Sequence, residues 1–388
     1  MNVTLLQTDA VGMIIWFFMF FIFLFLYPRL MLSQLIYKIE QSARKMEDMS
    51  ESANRMTAKK IGGGIKGGKK NVDEFTEFFV VEPSNIDPYG LVQKIDQTIR
   101  SMEDRFDEFV DEIAPDMSKQ EKQEINYGLR AAIGLRQLSK MVRHFVELAK
   151  KFKNLQIAMI LQMQLPIIEK IAEGEYRGTE AFINGWPIGD SIGPLVAASF
   201  IDKEKQIAKD IVVGEANIEG RKCFVLKATG PDPHLGRVDE AINAIMKNKK
   251  IARVVTIDAA QKLEGEKSGT VAEGVGFAMG GIGQREMIEN VLLPKKMPID
   301  SIVIKVGMTE AIMPMKKEVY NAVPKAKTLV EKAVKRAKKG EKIIIIGIGN
   351  SSGIGDNKKE IEKVKKIVDE LDRKYKKEKE KGKGGWIS

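Results

Sequence analysis

Two aspartates stand where an α/β fold would place reactive carboxylates. Asp258 ends the apolar run ARVVTID (252–258), and the carboxyl ends of strands form the ligand-binding edge of an open α/β sheet. Asp190 lies in the turn GDSIGP (189–194), which opens a helix with a well-placed proline. Capping of the following helix is the competing interpretation for both side chains. The sequence leaves the two roles open.

Two glycine-rich segments could approach a ligand with their backbone. EGVGFAMGGIG (273–283) has five glycines in eleven residues, which implies positive φ angles or close backbone contact. IIIIGIGNSSGIGD (343–356) reads as a strand, a glycine-rich turn and a helix, a geometry that suits anions. Neither segment is a complete dinucleotide fingerprint. The candidate cofactor-binding residues are Gly280, Gly281, Gly283, Gly347, Gly349 and Asn350.

Other site chemistry has little support in the sequence. There is no HExxH motif, and the single cysteine excludes an internal disulfide and a cysteine-based metal cluster. Of the two histidines, His234 lies in a loop, TGPDPHLG, where it could ligate a metal or simply form hydrogen bonds within the loop. If a divalent metal ion is bound, the candidate ligands are Asp190, Asp258 and His234.

The fold class follows from the order of the patterns. From about residue 178, short β-branched runs alternate with helical patterns, which is typical of an α/β domain. We expect an N-terminal transmembrane helix and a helical region, followed by a mostly parallel sheet with flanking helices, phosphorylase/hydrolase-like in arrangement. The predicted strands lie at 210–214, 223–229, 252–258, 300–307 and 342–349.

The chain divides into six predicted segments. Residues 91–113 and 118–173 have helical periodicity, and KKIGGGIKGGKKN (59–71) has the composition of a flexible linker. The predicted segments are a transmembrane anchor at 1–32, a juxtamembrane heptad helix at 33–58, a basic Gly/Lys linker at 59–84, a helical region at 85–177, an α/β domain at 178–372 and a disordered charged tail at 373–388.

The anchor is predicted from residues 11–27, which carry no charge and are just long enough to cross a bilayer core of roughly 30 Å. A cleaved signal peptide is the alternative, but residues 1–12 lack Lys and Arg. Basic residues such as Arg29 and Lys38 follow the span and none precedes it. The positive-inside rule therefore predicts a single-pass protein of the cell membrane with a cytoplasmic C-terminal domain.

A heptad pattern follows the anchor and predicts a helix-pairing seam. Its positions are Leu32, Leu35, Ile39, Ser42, Met46, Met49, Ala53 and Met56. The seam could pair with a second copy or lie on the membrane or on its own domain. The apolar stretch 159–165 is a further candidate docking or oligomer face. The net charge of +10 suits an anionic membrane lipid surface, and without an aromatic-interleaved basic motif we expect no nucleic acid.

The segments GDSIGPLVA, IDAA, SGTVAEGVGFAMGGIG and PIDSIVIKVG occur in an order that resembles the spore germination protease and the hydrogenase-maturation endopeptidases. The resemblance implies that Asp190 and Asp258 match a pair of acids that forms an aspartic dyad in the first family and binds metal in the second. The whole chain also resembles an archaeal membrane protein family catalogued as a domain of unknown function.

Three functional hypotheses result. The favoured one is a membrane-anchored scaffold or binding module that forms homo-oligomers through its heptad and helical regions. The alternative is an aspartate-dependent peptidase or hydrolase that uses Asp190 and Asp258 on a protein or peptide substrate. The third is a nucleotide or anion sensor at the glycine-rich strand ends.

Overall fold

The computed structural model describes residues 3–62, 65–79, 90–276 and 284–380. The chain forms two compact units, each built from separate stretches of sequence. The first unit comprises Met1–Glu51 and Leu135–Ala172, and the second comprises Ser52–Gly134 and Glu173–Ser388.

The first half of the chain is helical, as predicted. The helices are α1 (Val3–Ile61), α2 (Ile65–Phe75), α3 (Leu91–Ile113), α4 (Lys119–Phe152) and α5 (Leu155–Ile183). The pattern at 118–173 was predicted as one helix, but it breaks at Lys153, whose φ of 46° is left-handed and reverses the chain. Helices α4 and α5 therefore form a hairpin.

Helix α1 begins with the apolar segment. The side chains from Met13 to Tyr27 are all exposed. By length and composition α1 and α5 both qualify as candidate membrane spans, and a signal sequence near the N-terminus would have the same properties as α1.

In the first unit, the predicted heptad seam is buried within the chain itself. Its positions Leu35, Ile39, Met46 and Met49 are covered. Ion pairs join α1 to α4, from Arg143 to Glu40 and Glu47 and from Lys150 to Glu40. A hydrogen bond from Ser42 to Glu169 joins α1 to α5. The seam therefore packs on the α4–α5 hairpin of the same chain.

In the second unit, helix α2 occupies part of the predicted flexible linker. Val72 and Phe75 lie on one face of α2 and are buried, and the Phe75 ring stacks on Phe109 with 3.7 Å between ring centroids. Two buried side chains one helical turn apart are enough to hold this short segment on α3. The linker prediction is therefore wrong for residues 65–75.

A seven-stranded sheet forms the centre of the second unit. Its strands are β1 (Glu204–Ala208), β2 (Ile211–Ile218), β3 (Arg221–Ala228), β4 (Arg253–Gln261), β5 (Val271–Val275), β6 (Ile299–Val306) and β7 (Lys342–Gly347), in the order β1-β2-β3-β7-β4-β6-β5. The four central strands are parallel, while β1, β2 and β5 pair antiparallel. The sheet is therefore mixed, not mostly parallel.

Helices cover both faces of the sheet. They are α6 (Ile192–Ala198), α7 (Val238–Asn248), α8 (Gln284–Leu292), α9 (Lys317–Tyr320), α10 (Val323–Val334) and α11 (Ile361–Glu380). One buried cluster joins β4 and β7 to α6, α10 and α11, and a second joins the opposite face to α7 and α8. Burial on both faces explains the continuous apolar run of β7.

The charged tail begins as helix. Helix α11 continues to Glu380, so residues 373–380 are ordered and the predicted disorder is wrong for them. Lys374 pairs with Glu180, and the guanidinium of Arg177 lies 5.1 Å from the centroid of the Tyr375 ring. These contacts hold the last two turns of α11 against α5.

Candidate functional site

The candidate site lies at the carboxyl edge of the parallel strands. The register pairs Ile257 of β4 with Gly347 of β7, and the Ile348 amide donates a hydrogen bond to the Ile257 carbonyl. Asp258 therefore sits beside the segment in which the chain leaves β7. The turn that contains Asp190 packs against the same two strand ends, because Gly193 contacts the carbonyls of Ile257 and Ile348.

Asp258 is a strand residue and does not cap a helix. Strand β4 continues through Asp258 to Gln261, so the capping interpretation is wrong. The residue is 2% exposed. Its Oδ2 atom has no hydrogen-bond partner in the described part of the chain. A buried polar atom without a partner is costly and calls for an explanation.

Asp190 is also not a helix cap. It lies in a short 3-10 turn, Gly189–Ser191, and the N-cap residue of α6 is Ser191. The Asp190 carboxylate instead accepts a hydrogen bond from the amide of Asn350 at 2.7 Å. Its own amide donates to the carbonyl of Ala311, also at 2.7 Å. Asp190 thus connects the turn before α6 to the segment after β7.

The two carboxyl groups influence each other electrostatically. Burial raises the pKa of Asp190, and the hydrogen bond from the Asn350 amide opposes this rise. Burial and the negative charge of Asp190 together raise the pKa of Asp258 well above its usual range. Asp258 therefore retains its proton at pH values at which Asp190 ionises. Such a pair supplies one general acid and one general base.

Glycines allow this close approach. A Cβ atom at Gly193 would lie 2.0 Å from the Ile348 carbonyl oxygen and 2.6 Å from that of Ile257. Gly349 has a φ of +123°, and a Cβ atom there would lie 2.1 Å from the Asp190 carbonyl oxygen. A larger residue at either position would push the Asp190 turn away from the sheet. These glycines therefore serve backbone packing beside the aspartates.

Backbone amides of the segment after β7 donate hydrogen bonds to acceptors within the protein. The predicted cofactor residue Asn350 gives its amide to Asp190. Neighbouring amides donate to protein acceptors as well, namely those of Ile348, Ser351, Ser352, Gly353 and Ile354. The geometry around Gly347, Gly349 and Asn350 therefore does not favour an anion cradle. The other three candidates, Gly280, Gly281 and Gly283, lie outside the described residues.

His234 is buried and stabilises a loop. Its amide donates to the Ser351 hydroxyl, and the Ser351 amide donates to the His234 carbonyl. Its ring nitrogens lie 3.7 Å from Asp210 and 3.9 Å from Asp232. Within the described ranges, no three His, Cys, Asp or Glu side chains are placed to hold a metal ion. The predicted metal set of Asp190, Asp258 and His234 is therefore not assembled as a three-ligand site.

Two buried charges near this edge were missed by sequence reasoning. Lys227 of β3 is fully buried and donates to the Asp356 carboxylate at 2.5 Å and to the Ala228 carbonyl at 2.6 Å. Asp356 also accepts the Gly230 amide. A lysine inside the apolar run CFVLKAT was the available signal, because a buried lysine requires a carboxylate partner.

The second missed charge is Glu310, in the loop after β6. It accepts hydrogen bonds from the Gly307 amide, the Ser268 hydroxyl and Lys316. Against the opposing effect of burial, these bonds lower the pKa of Glu310 to about 2. Glu310 thereby shapes the loop whose next residue, Ala311, receives the Asp190 amide.

Fold and site together define an α/β protein with a long apolar N-terminal helix and two neighbouring aspartates, half-buried Asp190 and buried Asp258, at the carboxyl edge of its sheet. Residues 13–185 match the N-terminal domain of a protein of unknown function, DUF1512. Residues 188–355 match the C-terminal domain of the same family, and the chain therefore belongs to the DUF1512 family. Both aspartates lie in the C-terminal domain. No curated protein matches the chain.

The first prediction concerns the close approach at Gly193. Gly193→Ala should lower the free energy of unfolding by about 1–3 kcal/mol, because the added methyl group meets two backbone carbonyls that cannot move independently. Gly274→Ala in β5 is the matched control, since a Cβ atom there meets nothing within 4 Å. Chemical denaturation measures both. Equal stability of the two variants would contradict the packing described here.

The second prediction concerns the proton on Asp258. Its pKa is higher in the folded than in the unfolded chain, so the folded state binds more protons and stability falls as pH rises above about 4. Asn cannot ionise, so Asp258→Asn should be more stable than the wild type near pH 7. The difference should vanish below about pH 4. Thermal unfolding across pH tests this, and destabilisation at every pH would contradict it.

Proposed function

We propose that this protein is a membrane-anchored hydrolase that uses Asp190 and Asp258 as a proton-transfer pair on a protein or peptide substrate. The observation that carries the proposal is the Asp258 carboxyl group. It is buried beside a second carboxyl group and lacks a partner for Oδ2 among the described residues. The resemblance of the segments around both aspartates to the germination protease supports the same reaction class.

The two side chains would have different tasks. Asp190 is half-buried and has the less perturbed carboxyl group, so it would act as the general base that takes a proton from the attacking water. Asp258 keeps its proton and would act as the general acid that protonates the oxygen of the substrate carbonyl. When the intermediate collapses and the C–N bond breaks, Asp190 would give its proton to the leaving amine nitrogen. Asp258 would take back a proton from a hydroxyl group of the intermediate, which restores the pair.

The membrane location is part of the proposal. The exposed apolar segment of α1 would cross the bilayer, and the basic residues that follow it would stay in the cytoplasm. Lipid is then a permanent partner of the chain. The predicted archaeal origin and the relationship to peptidases stay predictions.

The other two hypotheses have less structural support. The heptad seam is buried on the α4–α5 hairpin, so it does not offer a free face for a second copy in this arrangement. The sensor hypothesis needs free amides after β7, and the Asn350 amide is given to Asp190. Neither hypothesis explains why Asp258 is buried without a partner for Oδ2.

The third prediction is loss of turnover on removal of either carboxylate. Full-length protein in detergent should cleave members of a peptide library, with products identified by mass spectrometry. Asp190→Asn and Asp258→Asn should each reduce the rate by about 100-fold or more, the usual contribution of a general acid or base. The rate of the wild type should fall at low pH, where Asp190 takes up a proton, and again at high pH, where Asp258 loses its own.

Asp202→Asn is the matched control, because Asp202 is an exposed aspartate of the same unit. It should cleave like the wild type. No cleavage by the wild type across the library, or full activity in Asp258→Asn, would contradict the proposed reaction.

The fourth prediction separates an anchor from a cleaved signal sequence. Membranes from expressing cells should retain the full-length chain after extraction at alkaline pH, because a spanning helix cannot leave the bilayer without exposing its apolar side chains. Mass spectrometry should recover peptides that include Trp16. Release of a shorter chain that begins after the apolar segment would overturn the anchor.

A further inference from the structure

The α4–α5 hairpin of the first unit carries apolar side chains in water at its turn. We call residues 150–160 the hairpin tip. Phe152 in the tip is 61% exposed, and Ile160 on the first turns of α5 is 59% exposed. Lys151 and Lys153 flank Phe152, and the Lys151 ammonium lies 5.6 Å from the centroid of the Phe152 ring. Aromatic and aliphatic side chains between lysines are typical of surfaces that enter a lipid headgroup region.

Ion pairs fix the level of the tip along α1. Arg143 reaches both Glu40 and Glu47, and Lys150 reaches Glu40, so α4 runs antiparallel to α1. Helix α5 reverses direction and runs parallel to α1. Glu169 of α5 lies beside Ser42 of α1, with 2.6 Å between the hydroxyl and the carboxylate.

The helical rise then gives the position of the turn. Fourteen residues separate Leu155 from Glu169, which corresponds to about 21 Å of helix. The same length measured back along α1 from Ser42 reaches Pro28. The Leu155 end of the tip therefore lies near the end of the uncharged segment of α1, while Lys150 at its other end lies beside Glu40, about 18 Å farther along the helix.

We propose that the hairpin tip docks on an anionic bilayer surface, with Phe152 and Ile160 among the headgroups and Lys151 and Lys153 against lipid phosphates. The docking rests on the membrane anchor of the proposed function and is independent of the aspartate chemistry. It gives the chain a second lipid contact beside α1, which would hold the first unit in one orientation on the membrane.

Charge favours lipid over a second copy of the chain as the occupant. A two-fold contact through the tip would bring Lys151 and Lys153 near their own copies, and like charges at short range repel. An anionic leaflet instead attracts each lysine. Arg29 and Lys38 of α1 lie in exposed positions just past the uncharged segment and extend the same basic surface.

The test uses full-length protein with a fluorescent label at one cysteine. The native Cys223 can stay, because it is fully buried and burial raises the pKa of its thiol to about 11. Phe152→Cys places the label at the tip. Met141→Cys is the matched control, since Met141 is 58% exposed and lies on α4 eleven residues before Phe152. Unmutated protein measures background labelling.

Both labelled proteins are reconstituted in vesicles of brominated phosphatidylcholine with or without phosphatidylserine. We expect several-fold stronger quenching at position 152 than at position 141 when phosphatidylserine is present. Lys151→Glu with Lys153→Glu should reduce this difference at unchanged protein content of the vesicles.

Three results would overturn the proposal. Equal and weak quenching at both positions would show that the tip stays in water. Energy transfer between labels on different copies, independent of lipid composition, would show that a second copy covers the tip. A chain that does not float with the vesicles would remove the anchor and the docking together, while the peptide-cleavage assay would still decide the aspartate chemistry by itself.

Discussion

The site depends on one constraint, the close approach of the turn before α6 to the ends of β4 and β7. Gly193 lets the turn rest on the carbonyls of Ile257 and Ile348, where a single methyl group would collide. The Asn350 amide then binds the Asp190 carboxylate and closes the contact. Asp190 lies in this turn and Asp258 directly follows Ile257 in β4, so the same packing brings the charge of Asp190 near the buried Asp258.

The sequence identified the two aspartates but not their surroundings. Strand endings and helix starts are local signals, and they placed Asp190 and Asp258 at the correct edge of the sheet. Their capping interpretation was wrong because β4 continues past Asp258, and strand length depends on pairing with β6 and β7, whose register no local pattern shows. The antiparallel strands at both edges were likewise hidden, since β-branched runs do not reveal direction.

Apolar periodicity also leaves the partner of a helix undetermined. The heptad at Leu35, Ile39 and Met46 is a true packing seam, but its partner is the α4–α5 hairpin, about a hundred residues later in the chain. The flexible-linker prediction for residues 59–71 rested on their glycine and lysine content. Val72 and Phe75, just beyond that stretch, supply enough buried surface to order a helix that composition argues against.

The buried charges of the second unit distinguish structural from functional roles. Lys227 is held by Asp356 and a carbonyl, and Glu310 accepts three hydrogen bonds, so each has the partners that burial demands. Asp258 lies in the same unit, yet its Oδ2 has none within the described residues. An asparagine or an apolar residue would fill the strand position at a lower free-energy cost of burial. Under the proposed function, the carboxyl group is retained for proton transfer, because folding alone would not select it.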